Sequence, residues 1–263
     1  MSFSRRDFLR LGGTALLAGT FPQLGRGLST PSGPSVIYHG SRSFPSIAMT
    51  YDDCWHPEVL QQLMDMVEPY PDFHFTFFAI GDAIDIDEAL KPGIWKQLYD
   101  KGHEIGYHTY HHVDPQVMSL ASLLADFDMW FARLQKVLGV VPRVRFARPP
   151  YDDLSLSFEE LCRERGMVAT LYSAGFEAAK MDDSMRLASR AVNGDIVQMH
   201  TYQDPANGRF DVDITARTVP YLAEQGFTLV TLSQMYDELL KQQFSSNGCD
   251  VGPGSSPTRT CLE

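Results

Sequence analysis

Four cysteines in 263 residues, none in a C-x-x-C pair and none clustered with histidines, leave no basis for a structural zinc knuckle. Basic charge is scarce too: 22 Lys and Arg stand against 33 Asp and Glu, for a formal net charge of -11, and the basic residues are scattered. Phosphate contacts need a basic face, so no nucleic-acid partner is expected and neutral or weakly charged substrates fit better. An apolar run from Leu11 to Phe21 is too short for a comfortable membrane span. It follows Ser4-Arg5-Arg6-Asp7-Phe8-Leu9-Arg10, and paired arginines ahead of a short apolar stretch match a twin-arginine export signal. The expected location is periplasmic, cell-envelope or secreted, with no stable membrane span after signal removal.

Residues 1–34 therefore read as signal and Gly/Ser/Pro-rich leader, 35–244 as one domain, and 245–263 as a Gly/Pro/Ser-rich tail. Cys249 and Cys261 lie in that tail, where an oxidising compartment would favour a disulfide closing a short loop. Between Ser46 and Leu240, short apolar runs alternate with longer amphipathic stretches, as when each strand is followed by a helix. Strands are predicted at Ser46 to Thr50, Phe73 to Ala79, Val144 to Arg148, Met167 to Tyr172, Asp195 to Met199 and Phe227 to Thr231. Leu120, Leu123, Leu124, Phe127, Phe131, Leu134 and Leu138 recur at three- and four-residue intervals and predict one buried helix face. Gly102, Gly166 and Gly226 fall where a left-handed helix C-cap is expected. Repeated strand-helix units imply a parallel sheet, either closed as a barrel or open and doubly wound. In both, chemistry sits at the C-terminal strand ends, and that is where Asp52-Asp53, Arg148 to Tyr151 and His200 fall.

His108 and His112 are spaced i, i+4, which on a helical turn would point both imidazoles toward one ion. A carboxylate from Asp52-Asp53 would complete the set, since adjacent strand residues face opposite ways and one Asp can ligate while its neighbour faces elsewhere. Taken singly, Arg148 reads as a structural strand-end residue and His200 as a satisfied core histidine. His74, His103 and His111 are assigned to packing or support, because none has an acidic partner at a motif position.

Several motifs in one order resemble the polysaccharide deacetylases of carbohydrate esterase family four. Thr50-Tyr51-Asp52-Asp53-Cys54 resembles their T-F-D-D-G, and Gly102 to His112 resembles G-H-E-I-G-N-H-S/T-x-x-H. Phe75-Thr76-Phe77-Phe78 is similar to their second strand, Arg148-Pro149-Pro150-Tyr151 to R-x-P-Y/F, and Gly194 to His200 to the strand ending in L-x-H. The resemblance implies a distorted (β/α) barrel of fewer than eight strands and removal of acetyl groups from N-acetylated or O-acetylated sugars of a glycan. It implies a divalent ion, best zinc, with cobalt, nickel or manganese as alternatives, held by Asp53, His108 and His112. It further implies Asp52 as general base, Arg148 holding that base, the Tyr151 backbone N–H in the oxyanion hole and His200 as general acid.

The sequence departs from the pattern at four places. Cys54 and Asp152 replace glycines, and Tyr107 stands where Asn is common. The fourth is an absence: Thr170 to Glu177 contains no Asp to pair with His200. Glu177, a few residues off the usual spacing, and Asp204 are the substitutes nearest in sequence. Without a substitute, the alternative reading is a carbohydrate-binding protein on the same scaffold with little or no turnover.

Overall fold

The structure is a computed structural model that describes residues 33–246. Arg5, Arg6, Cys249 and Cys261 lie outside the described residues. Along the chain run β1 (Val36–Ile37), β2 (Ser46–Asp53), α1 (Pro57–Val67), β3 (Thr76–Ala79), α2 (Gly81–Leu90), α3 (Ile94–Asp100) and β4 (Glu104–Tyr107). There follow α4 (Leu120–Leu138), β5 (Phe146–Ala147), α5 (Leu156–Arg165), β6 (Val168–Thr170), β7 (Ala174–Gly175) and α6 (Met181–Ala188). The chain then forms β8 (Ile196–His200), α7 (Pro205–Glu224), β9 (Thr228–Leu229) and α8 (Leu232–Ser246). The sequence reading had not singled out β1, β4 or β7. Two of these have only two residues, too few to show a period.

The strands pair in the order β1-β6-β5-β4-β3-β2-β8-β7, with β9 also beside β2, and every ladder between these strands is parallel. The path has two ends where a common eight-stranded barrel has none, so the sheet is a curled, partly open (β/α) barrel. Of the two architectures left open by the strand-helix pattern, the barrel is the one formed.

A two-residue period sorts side chains between the two faces of this sheet. Met49, Tyr51, Phe77, Ala147, Ala169, Val197 and Met199 pack outward into a cluster with the helices. Ala48, Phe78, Phe146, Val168 and Ile196 point the other way, into a smaller cluster sealed at the strands' N-terminal side by Leu232, Met235 and Tyr236 of α8. Gly106 sits on this inner face because nothing larger fits: a Cβ there would lie 2.5 Å from the Phe78 ring. Continuing each inner face two residues toward the C-terminal end reaches Thr50 and Asp52, His108, Arg148, Thr170, and Gln198 and His200. The barrel's own alternation thus delivers six polar side chains and Thr50 to one mouth.

Helix α4 begins at Ser119, whose hydroxyl accepts the Ser122 N–H, and ends at left-handed Gly139. Its buried face is Leu123, Asp126, Phe127, Trp130, Leu134 and Leu138, with Leu120, Leu124 and Phe131 at the margin. Gly102, Gly166 and Gly226 all have positive φ after their helices, at 88°, 68° and 85°.

Candidate active site

Arg148 is wholly buried, and every part of its guanidinium is engaged. Nη1 donates to Thr50 Oγ1 at 2.7 Å and to Asp52 Oδ1 at 2.8 Å, Nε to the Thr170 carbonyl at 3.3 Å and Nη2 to the Leu171 carbonyl at 3.1 Å. The Phe78 ring lies 4.3 Å beneath it. The other carboxylate oxygen of Asp52 accepts from Gln198 Nε2 at 2.9 Å, and the same amide reaches Asp152 Oδ1 at 3.2 Å. Burial alone would raise the Asp52 carboxyl, but Arg148, with His108 and His200, outweighs it and holds the group below its ordinary range. Asp52 is therefore a fixed, ionised carboxylate.

Asp53, His108 and His112 come together: one ligand atom from each lies within 4.8 Å of the others. Asp53 Oδ1 is 3.6 Å from His108 Nε2 and 3.3 Å from His112 Nε2, and it is buried with no hydrogen-bond partner. The expected helical turn is absent. His108 follows β4 directly, and the loop to His112 is bent by left-handed Thr109 (φ 63°) and His112 (φ 52°). The i, i+4 spacing converges through strained loop backbone instead. Asp53 also breaks strand alternation, because φ of 65° turns it toward the mouth that Asp52 already faces.

The donor set suits a divalent cation. His108 Nδ1 lies 2.8 Å from the Arg148 carbonyl, which fixes the proton there and leaves the Nε2 lone pair free. Burial holds His108 down at about 4 and lowers His112, so both are neutral, as ligands must be. Burial and then the charge of Asp52 push the bare Asp53 carboxyl up to about 7. A buried carboxyl in that position gains from a cation beside it.

His200 faces Asp52 across the β2–β8 ladder. Glu177, from the loop after β7, places Oε2 2.9 Å and Oε1 3.1 Å from His200 Nδ1, and also accepts the His200 backbone N–H. The Tyr202 hydroxyl lies 3.1 Å from Glu177 Oε2 and 3.0 Å from His200 Nδ1, with its ring stacked on the imidazole. Burial disfavours a proton on His200, but the Glu177 hydrogen bond and then the Asp52 charge overcome it and lift the group to about 9. Of the two carboxylates considered from sequence, Glu177 is the one found on this imidazole.

Tyr151 also has a left-handed backbone (φ 60°), and its exposed ring lies 4.6 Å from that of His112. A cleft of about 450 Å³ opens at the mouth between Asp53, Trp55, His111, His112, Tyr202 and Asp204. His111 has an acidic neighbour outside the motif positions: Asp82 lies 3.0 Å from its Nδ1. His103 is a packing residue, buried and accepting the Phe75 N–H at 3.0 Å.

Sequence reading missed four supporting residues. Asp126 of α4 accepts from the Tyr107 hydroxyl at 2.5 Å and the Tyr110 N–H at 2.9 Å, pinning the histidine loop at both ends. Its signal was present, since it sits three residues after Leu123 and four before Trp130, on the buried face. Gln198 likewise showed itself as a polar residue two before His200 in an apolar strand. Tyr202 and Asp211 had no such signal, because both reach the site from loop or helix.

Residues 39–170 match the family model described as polysaccharide deacetylase. A peptidoglycan-N-acetylglucosamine deacetylase from Bacillus cereus is 28% identical over 207 residues, covering 72% of this chain and 87% of that protein. The peptidoglycan-N-acetylmuramic acid deacetylase PdaC of Bacillus subtilis is 26% identical over 201 residues, covering 75% of this chain, which spans only 40% of that relative's length. Among solved structures, BA3943 of Bacillus anthracis, described as a CE4 family pseudoenzyme, superposes with a TM-score of 0.67 at 19% identity, covering 78% of this chain and 70% of that one.

Proposed function

The chain belongs to the polysaccharide deacetylase family, and from that premise we propose that it hydrolyses the acetyl group from N-acetylated sugars of a glycan, with a divalent ion held by Asp53, His108 and His112. The observation that carries this reading is the Glu177–His200 pair at 2.9 Å, facing Asp52 across the mouth. A binding protein needs neither a tethered base nor an imidazole kept protonated. The family resemblance left His200 without its usual Asp, which was the main ground for a non-catalytic reading; Glu177 beside that imidazole supports the catalytic one.

When bound, the ion would polarise the acetyl carbonyl and acidify a water; two imidazoles and one carboxylate suit zinc best. Asp52 is bonded once on each oxygen, so each keeps a lone pair with which to take a proton from the attacking water. Arg148 holds that carboxylate in place and ionised. The Tyr151 N–H would serve as the donor for the oxyanion that develops on the carbonyl. Glu177 occupies His200 Nδ1, which leaves Nε2–H to protonate the departing nitrogen.

Two relatives are named for peptidoglycan, which supports a cell-wall glycan and an extracytoplasmic site of action. The Arg5-Arg6 pair supports twin-arginine export; Lys at both positions should leave precursor in the cytoplasm, and unimpaired export would remove that route. Substrate class is tested by acetate release from chitin-type, peptidoglycan-type and xylan-type oligosaccharides with metal-replete protein. Release from an N-acetylated member is expected. Glycan binding with no release from any member would favour the non-catalytic reading.

A further inference from the structure

Behind the Glu177–His200 pair lies a second acidic side chain that the proposed mechanism does not use. Asp211, on α7, is 2% exposed, and it lines one cavity with Glu177. A hydrogen bond between two carboxyl groups needs a proton on one of them. Glu177 faces an imidazole N–H, a backbone N–H and a tyrosine hydroxyl, all donors to a carboxylate. Asp211 has the opposite surroundings. Its Oδ2 is buried without a hydrogen-bond partner, and no Lys or Arg among the described residues pairs with it. A buried carboxylate oxygen with no donor is costly, whereas the carbonyl oxygen of a neutral acid is far less so.

We propose that Asp211 is a positioning residue that stays protonated at neutral pH and donates its proton as a hydrogen bond to Glu177, locking that carboxylate onto His200. This rests on the deacetylase reading, in which His200 is the general acid. The titratable groups facing Asp211 are Glu177 from the loop after β7, His200 of β8, Tyr202 beyond it and Tyr51 of β2; the first two are those that act on its proton. Burial, and then the charge of Glu177, push Asp211 up to about 8. Glu177 and Asp211 share the lining of a cavity of about 510 Å³ with Ala178, Ala179, Tyr202 and Phe210. Above the ionisation of Asp211, Glu177 loses a donor and faces a like charge instead.

The test compares Asp211→Ala and Asp211→Asn with the parent protein and with Glu177→Gln. Asp211→Ala should lower kcat for acetate release roughly ten- to a hundredfold, the rate equivalent of one hydrogen bond to a charged group, with KM and metal content unchanged. Asp211→Asn, whose amide still donates and does not titrate, should restore most of that loss and carry the alkaline limb to higher pH. An Ala variant with the parent's kcat, or Asn and Ala equally impaired, overturns the proposal in a protein where Glu177→Gln is slowed. If the parent releases no acetate from any glycan, the deacetylase reading fails, and carboxyl carbon NMR decides the state of Asp211 alone. A protonated signal at pH 7, titrating above neutrality and lost in Asp211→Asn, upholds it; an ionised signal at pH 6 overturns it.

Discussion

Among the described residues, seven other than glycine have positive φ, and all lie at or just beyond the strand ends around the mouth: Asp53, Cys54, His56, Thr109, His112, Tyr151 and Asp152. Left-handed backbone costs an L-residue about 1–2 kcal/mol, and such strain collects where geometry serves function. Two of these positions were legible in advance, since Cys54 and Asp152 replace glycines of the motif pattern; their φ values of 68° and 59° are those that glycine tolerates. The others had no sequence signal. Asp152→Gly and Asp152→Ala both delete the contacts to Gln198 and Tyr172, so their difference isolates the backbone. Gly should be the more stable by about 1 kcal/mol in denaturant unfolding; an Ala variant as stable as Gly would show that position 152 is unstrained. At Glu177 the sign follows from the raised His200. The acid must be protonated to act, and Glu177→Gln removes the interaction that holds its proton. His200 then titrates below about 9, and the alkaline limb of kcat should move to lower pH while metal content stays constant.

The elements that set the site were legible where a period ran long enough. The α4 face and the β8 strand stood out; β1 and β7 did not. The histidine segment shows why spacing alone misleads: i, i+4 suggested a helical turn, but Gly106 must lie on an inner strand face against Phe78, so His108 is reached by strand alternation and His112 by a bent loop. That loop is held from outside by α4. Asp126 receives Tyr107 and Tyr110, and the Tyr110 hydroxyl donates to Asp85 of α2 at 2.6 Å. Asp126→Ala touches no ligand, yet it should weaken metal affinity roughly ten- to a hundredfold, as outer-layer substitutions do. Competition with a chelator reads this directly, and unchanged affinity in the folded variant would mean that the loop holds its shape unaided.

For the molecule as a whole, the strand-helix alternation predicted a parallel sheet, and the motif order predicted the distorted barrel. What it left open was how the sheet ends, because β1 and β7 are too short to register. The architecture explains the convergence of the site: parallel strands bring their C-terminal ends to one rim, and alternation sends Asp52, His108, Arg148 and His200 inward together. No helix among the described residues is long and apolar enough to cross a membrane. The central claim is that this rim is an acid–base site and not merely a binding surface. It is tested most directly by acetate release from an N-acetylated oligosaccharide by the parent protein and Asp52→Asn, both brought to equal metal content. Asn is isosteric and cannot take a proton, so the account predicts release by the parent and a loss of roughly 10²–10⁴-fold in kcat in the variant, with glycan binding retained. Equal turnover by the two would contradict it.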